Sequence, residues 1–254
     1  MKCEDQLQDI LSRLDKQSES IQQQVDIWND CLVMLKQMEP ECACAFVQTA
    51  QEILKQNNPL YVQDERKLQL ILWAISKNNK STTIELASAA LNSDKTGDKE
   101  EYVDILDNLN DPRTIPALMS AIELDHSVGK LGGMARAKAI NALLLFNAQE
   151  AKYLIISCFK DSVYRVRKAA IKFLLELNIT EAAPVFIEQL KEEEDPDNLE
   201  CLIDGIICWE QTKALPTLRD ILSSEWVHND EYLREIVEDA ISELQAIEKP
   251  ATTS

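Results

Sequence analysis

The chain has 254 residues, of which 45% are apolar and 28% are charged, so it is long enough to bury a sizeable core. It contains only 5 glycines and 8 prolines, too few for the many tight turns of an all-β protein. The formal net charge of −18 argues against a general nucleic-acid binder, because binding to phosphates needs a surface rich in lysine and arginine.

The sequence also predicts where the protein resides. No apolar run approaches the roughly 18 residues needed to span a bilayer, and the N-terminus lacks the apolar segment of a secretory signal. The 7 cysteines, an odd number without the spacing of a disulfide framework, predict reduced thiols. We therefore expect a soluble cytoplasmic protein without membrane insertion.

Amphipathic helices with irregular spacing are predicted for the first part of the chain. Breaks occur at residues 39–40, 57–59 and 77–80. Between them, apolar residues recur with the period of a helix. The five predicted helical segments are 6–13, 21–38, 42–56, 65–76 and 83–91. We interpret residues 1–97 as degenerate helix pairs, the first of which serves as a cap.

From residue 98 onward the chain repeats itself. The equivalent anchor positions are Pro116, Tyr153, Pro184 and Pro216, spaced 37, 31 and 32 residues apart. The positions two and six residues after each anchor are apolar, as are those seven, ten and thirteen before it. Such offsets on both sides of a break indicate two amphipathic helices per unit. The anchor prolines fit the first turn of the second helix, where a missing N–H leaves no carbonyl unpaired.

Turn-forming residues mark the break between the two helices of a unit. They are Asn147 and Asn178 in two units, and Asn110 followed by Asp111 in another. Further on, apolar residues between positions 232 and 244 form one face of a predicted capping helix. The last seven residues, 248–254, are predicted to be a frayed tail.

This pattern resembles the HEAT-repeat family, and more closely its short bacterial form, the phycobilisome-lyase HEAT-like repeat. Besides the anchors, the string DSVYRVRKAA carries the resemblance: Asp161 is followed by Val166 and Arg167 and then by the small Ala170. The resemblance implies an all-α fold, a right-handed α-solenoid of stacked antiparallel helix pairs without a β-sheet. Residues 98–247 would form the regular repeats and the C-terminal cap.

The resemblance also implies which faces line the groove of the solenoid. In this family the second helix of each pair usually does so. Applied to this sequence, the groove faces would begin near Lys99, Met134, Tyr164 and Asn198. The position of Arg167 in the repeat is taken by Lys99, Arg136 and Leu199 in the other units.

Positive charge is concentrated in residues 130–172, which carry nine basic and two acidic side chains. Two interpretations are open. Either these basic residues on groove-lining helices bind an anionic partner, or they pair with the acidic run at 192–197 and with neighbouring repeats. Trp226, in the predicted loop SSEWVHND, is a candidate aromatic contact. The predicted partner-binding residues are Arg136, Lys138, Arg165, Arg167, Lys168, Lys172 and Trp226.

Residues arranged for catalysis are not found in the sequence. His126 and His228 are isolated and form no metal-binding motif. The segment GKLGG, residues 129–133, lacks the ending of a phosphate loop and is predicted to be a flexible loop between helices. Cys42 and Cys44 would point in different directions on a helix and form no zinc knuckle. We predict no catalytic residue, no metal and no cofactor.

The functional prediction is a non-catalytic protein–protein interaction scaffold or adaptor that binds a partner protein along the groove, without nucleic acid. The alternative is a phycobilin lyase-like or phycobilisome-associated accessory protein that handles a bilin chromophore or its carrier protein. In that case the basic residues would hold the propionates. A HEAT-like DNA glycosylase is similar in size, but such proteins are basic.

Overall fold

Helices are the only regular secondary structure in the described part of the protein. A computed structural model describes residues 3–15, 20–39, 42–56, 59–123 and 129–248, without the side chains of 129–132. Within these ranges the chain forms α-helices and short 3-10 turns, and no strand. The predicted all-α fold is confirmed. His126 and the predicted frayed tail beyond Glu248 lie outside the described residues, as does the side chain of Lys130.

The chain forms two compact units, Met1–Ala139 and Ile140–Ser254. All five helices predicted for the N-terminal part are present in the first unit. Its helices are α1 (Cys3–Ser12), α2 (Ile21–Lys36), α3 (Ala43–Leu54), α4 (Val62–Ile75), α5 (Lys80–Leu91), α6 (Lys99–Asn108) and α7 (Ile115–Glu123), followed by α8 (Gly129–Leu145), which continues into the second unit. The predicted boundary at residues 97 and 98 concerns the regularity of the repeats and stays a prediction.

Long and short helices alternate in the second unit, as expected of stacked helix pairs. They are α9 (Lys152–Ser157), α10 (Tyr164–Glu176), α11 (Ala183–Gln189), α12 (Pro196–Cys208), α13 (Leu215–Leu222), the short α14 (Glu225–His228) and α15 (Glu231–Glu248). The long helix α10 packs on α12, and α12 packs on α15. The short helices α11 and α13 pack on α12 and α15 respectively. Each pair therefore buries the apolar face of the next.

A residue with left-handed backbone geometry follows four of the long helices. The residues are Asn110, Asn147, Asn178 and Glu210, with φ of 45°, 51°, 50° and 53°. After the last three, two N–H groups return to the helix just completed. For example, Ile179 N–H donates to the carbonyl of Leu174 at 2.9 Å. This is the Schellman arrangement, which satisfies the last carbonyls of a helix and reverses the chain.

A 3-10 turn follows each left-handed residue and leads directly into the short helix. These turns are Pro112–Thr114, Gln149–Ala151, Thr180–Ala182 and Thr212–Ala214. Pro116, Pro184 and Pro216 are the second residues of α7, α11 and α13. The predicted place of the prolines in the first helical turn is confirmed.

Aromatic contacts join successive helix pairs in the core of the second unit. The ring centroids of Phe159 and Phe186 lie 5.2 Å apart, and those of Phe186 and Trp209 lie 4.7 Å apart. Trp209 Nε1 donates to Asn178 Oδ1 at 3.0 Å. The asparagine that ends α10 thus also fixes the last turn of α12.

The segment GKLGG is helical, so its prediction as a flexible loop is wrong. Residues 129–133 form the first turn of the 17-residue helix α8. A glycine costs a helix about 1 kcal/mol relative to alanine, which is a weak preference that tertiary structure overrides.

The prediction that all thiols are reduced is also wrong. Cys3 and Cys42 form a disulfide with a Cα–Cα distance of 5.3 Å. The bond joins the first residue of α1 to the N-cap of α3. Their separation of 39 residues gave no indication that the two cysteines are close. Cys44, Cys201 and Cys208 are free thiols.

Gly205 on α12 is required by close packing. A Cβ atom there would lie 2.6 Å from Leu175 Cδ2 and 2.7 Å from Phe186 Cε1. We expect Gly205→Ala to lower the free energy of unfolding by about 1–2 kcal/mol, because overpacking outweighs the better helix propensity of alanine. Urea unfolding followed by circular dichroism measures this. Gly97→Ala, whose Cβ would stand 3.5 Å from Glu65 Oε2, is the control and should be nearly neutral. A stabilised Gly205→Ala variant would contradict the packing argument.

Glu210 is the one glutamate among the four left-handed residues that end long helices. Left-handed geometry costs an ordinary L-residue roughly 1–2 kcal/mol, and asparagine tolerates it better. We therefore expect Glu210→Asn to raise the free energy of unfolding by about 1 kcal/mol. Glu210→Gln removes the same charge but keeps the strain, so it should unfold like the wild type. Equal stabilisation by both variants would attribute the gain to charge.

Candidate partner-binding surface

Arg136 is buried, so the prediction that it contacts a partner is wrong. Its side chain is only 2% exposed. It occupies the position of Arg167 in the repeat, and that position faces into the protein. Sequence periodicity placed Arg136 on the correct helix, but a basic residue type suggested exposure that the fold does not provide.

Arg167 forms a buried ion pair within the second unit. Its Nε and Nη2 atoms donate to the carboxylate of Glu193 at 2.8 and 2.5 Å, and Nη1 donates to the carbonyl of Asp161 at 2.9 Å. The Glu193 side chain has no exposed surface and also accepts from Gln189 Nε2 and the N–H of Asp195, at 3.2 and 3.1 Å. Arg167 therefore fastens α10 to the turn that precedes α12 and is not offered to a partner.

The ionisation of Glu193 depends on these donors. Burial opposes its charge, but the hydrogen bonds from Arg167 and from the N–H of Asp195 hold its pKa below the usual value. The carboxylate therefore stabilises the fold above the pKa it has in the unfolded chain. That contribution is lost as the pH falls through the lowered pKa of the folded protein.

Lys99, at the same repeat position in α6, is also used internally. Its Nζ donates to Thr96 Oγ1 at 2.7 Å and to the carbonyl oxygens of Ser93 and Ala90. Burial lowers the pKa of Lys99. Like Arg167, Lys99 holds the turn before its own helix. This position therefore has a structural role in both the Lys99 repeat and the Arg167 repeat.

Lys138, the next predicted site residue, pairs with acids in the first unit. Its Nζ lies 2.8 Å from Glu100 Oε1 and 2.5 Å from Asp104 Oδ2, both on α6. It thus links α8 to α6. For Lys138 the interpretation that the basic residues pair with neighbouring repeats is supported.

Lys168 and Lys172 lie on α10 and are more accessible. Lys168 pairs with Asp197, in the predicted acidic run, at 2.7 Å. Lys172 lies 3.5 Å from Glu176, four residues on along the same helix. Both side chains of the Lys172–Glu176 pair are more than half exposed, so the pair contributes little to stability.

Two of the predicted partner-binding residues involve exposed aromatic rings: Arg165 contacts one, and Trp226 carries one. Arg165 Nε donates to the hydroxyl of Tyr164 at 2.9 Å, and its guanidinium lies 5.6 Å from the centre of that ring. Trp226 is 40% exposed, but it lies on the short helix α14 and not in a loop.

An open cleft of about 440 Å³ lies between the C-terminal ends of α8 and α10, within the second unit. The largest exposed apolar side chain in its wall is Leu145, which is 74% exposed. Lys172 is the predicted site residue that contributes to it. The lining residues are Asn141, Leu144, Leu145, Asn147, Lys172, Glu176 and Leu177.

Leu145 was missed by the sequence analysis, although the sequence carried a signal. The equivalent positions in the other units are Asn108, Glu176 and Cys208, and all of them are exposed. A leucine at a repeat position that faces solvent in every unit is therefore unusual. In the run ALLLF, the neighbouring core leucines conceal it.

A second cleft, of about 710 Å³, lies in the first unit at the ends of α2, α4 and α6. Its charged lining residues are Lys36, Lys77 and Lys80, and Trp73 forms another part of the wall. Lys80 Nζ donates to the carbonyl of Leu109 at 2.8 Å, so this lysine also caps the end of α6.

Other types of site were sought in the described part of the chain. There, no three His, Cys, Asp or Glu side chains are grouped so that they could hold a metal ion. None of the helices described is both long enough and apolar enough to cross a bilayer.

The arrangement of α8 to α12, with paired helices, left-handed turns and an inward-facing arginine, can be compared with known families. Residues 133–203 match the family model of HEAT repeats. This HEAT segment contains the α8–α10 cleft and the Arg167–Glu193 pair. No curated protein matches the chain. HEAT repeats commonly mediate protein–protein interaction. The closer resemblance to phycobilisome lyases stays a prediction.

The different environments of Arg167 and Lys168 give a test of their roles. Arg167→Ala leaves the buried Glu193 without its cation, so we expect a loss of about 3 kcal/mol in the free energy of unfolding. Lys168→Ala breaks an accessible pair and should cost less than about 1 kcal/mol. Urea unfolding at pH 7 measures both. The deficit of Arg167→Ala should shrink as the pH falls through the lowered pKa of Glu193. Similar losses in the two variants at pH 7 would contradict this assignment.

Proposed function

We propose that the protein is a non-catalytic interaction scaffold that binds a partner protein on the α8–α10 surface of its second unit. This surface consists of the 440 Å³ cleft and the adjacent exposed face of α10. The observation that carries the proposal is the exposed side chain of Leu145 in the cleft wall, within the HEAT segment.

The cleft has the composition of a contact site for an apolar anchor. Burying a leucine side chain contributes about 2 kcal/mol, a gain that Leu145 does not obtain within its own chain. Asn141 and Asn147 supply amide donors and acceptors at the rim. An apolar centre with a polar rim is the usual arrangement of an interface hot spot.

The charge beside the cleft indicates the chemistry of the partner. Arg165, Lys168 and Lys172 occupy positions three and four residues apart on α10, so they lie on one helical face. The pairs of Lys168 and Lys172 are accessible and individually weak, so carboxylates of a partner can replace Asp197 and Glu176. We infer a partner with an apolar side chain flanked by acidic residues.

The remaining functional predictions stay predictions. Trp226, on a different helix of the second unit, stays a predicted additional contact. Bilin handling and the absence of nucleic-acid binding stay predictions, as does the cytoplasmic location, because the matched family model is that of HEAT repeats in general.

The proposal is tested by partner capture from lysate of the source organism. The test variant is Leu145→Ser with Lys172→Glu. Its matched control is Ile247→Ser with Lys213→Glu, which changes an exposed isoleucine and an exposed lysine elsewhere in the second unit. Wild type and control should retain the same protein. The test variant should bind it at least about tenfold more weakly by calorimetry with the purified partner, a loss of about 1.4 kcal/mol.

Circular dichroism and melting curves first establish that all three proteins are folded. Equal affinity of the three would show that the partner binds elsewhere. Retention of no protein above empty resin would contradict the scaffold function itself.

A further inference from the structure

Within the part of the chain that the structure describes, helix α1 is attached to the rest of the first unit by few contacts and one covalent bond. We propose that α1 is a redox-controlled lid: the Cys3–Cys42 disulfide holds it over α2 and α3, and reduction of this bond releases it. The disulfide connects the N-terminal end of α1 to α3, while the other end of α1 continues into the turn Arg13–Asp15.

Among the described residues, α1 makes few non-covalent contacts. Its buried side chains are Leu7, Ile10 and Leu11. In addition, the thiol of Cys31 on α2 donates a hydrogen bond to the carbonyl of Ile10 at 3.5 Å. Helices shorter than about 12 residues are marginal without tertiary support, and α1 has 10 residues. The burial of three apolar side chains must therefore offset the conformational entropy that is lost when the whole helix is ordered.

The disulfide changes this balance. It links positions 39 residues apart. While the bond is intact, it limits how far α1 can move away from α3. The turn after α1 has its own attachment, because Lys67 Nζ lies 2.8 Å from Asp15 Oδ1. When the disulfide is broken, the turn keeps its ion pair at Asp15, while the end that carries Cys3 loses its covalent attachment to α3. The turn Arg13–Asp15 is thus the hinge.

The two sulfur atoms differ in accessibility, which sets the course of reduction. Cys3 is partly exposed, whereas Cys42 is only 2% exposed. A thiolate of a dithiol reductant attacks Cys3 Sγ, forming a mixed disulfide, and Cys42 leaves as a thiolate. The second thiol of the reductant then displaces Cys3. The dithiol is thereby oxidised to a disulfide. Its two electrons and two protons reduce Cys3 and Cys42 to thiols.

Release of α1 uncovers an apolar surface. The face that α1 buries is formed by leucine and isoleucine, and α1 packs on both α2 and α3. Val33, on the outer side of α2, is already 54% exposed. The reduced protein therefore presents a larger apolar surface at its first helix pair than the oxidised protein does.

Hydrogen–deuterium exchange of the full chain tests the lid. We compare protein oxidised with a small-molecule disulfide with protein reduced by dithiothreitol. In the reduced state, amides of α1 should exchange at least about tenfold faster, while those of α5, α6 and α10 keep their rates. Cys3→Ser should show fast exchange of α1 in both conditions. Cys44→Ser, which alters a free exposed cysteine next to the bonded one, should behave like the wild type.

Three results would overturn the proposal. The first is equal protection of α1 in the oxidised, reduced and Cys3→Ser proteins. The second is loss of protection throughout the first unit on reduction, which would make the disulfide a general requirement for folding. The third is alkylation of Cys3 in the oxidised protein, detected by mass spectrometry, because the disulfide would then be absent.

Discussion

The left-handed residue that follows α6, α8, α10 and α12 is the constraint on which the packing of these repeats depends. At Asn147, Asn178 and Glu210 the chain turns back, so that a short helix can lie against the long one. This reversal also positions side chains from adjacent pairs. Asn178 accepts from Trp209, whose ring contacts Phe186, and Gly205 on α12 leaves room for Phe186 on the preceding helix α11. A change in the geometry of one turn would therefore be felt in the core of the following pair.

The repeat uses its basic positions in two distinct ways. The position of Arg167 and Lys99 faces inward and holds the turn before the helix. Lys168 and Lys172, on the accessible face of α10, make exposed ion pairs, which we propose a partner exchanges. Local positive charge in the sequence is therefore not itself a binding surface. What distinguishes the α8–α10 surface is the combination of exchangeable charge with the exposed Leu145 beside a cleft.

Features that depend on periodicity were predictable from the sequence. The anchor prolines and the apolar offsets around them located the helix pairs, because a helix buries one face at a fixed spacing and proline is restricted to its first turn. Features that depend on the approach of distant segments were not. The burial of Arg136, the Cys3–Cys42 bond and the cleft beside Leu145 each arise from helices brought together by the fold. The helical GKLGG segment was missed for a different reason, since local glycine preference is weaker than the continuation of α8.

The exposed apolar side chains give the net charge a role in colloidal stability. Leu145 and Val33 remain in contact with water, and such groups favour association between copies of a protein. A formal charge of −18 opposes that association through mutual repulsion at a distance, and salt weakens this repulsion. The strongly acidic composition thus opposes self-association of the chain even though these apolar side chains are exposed to water.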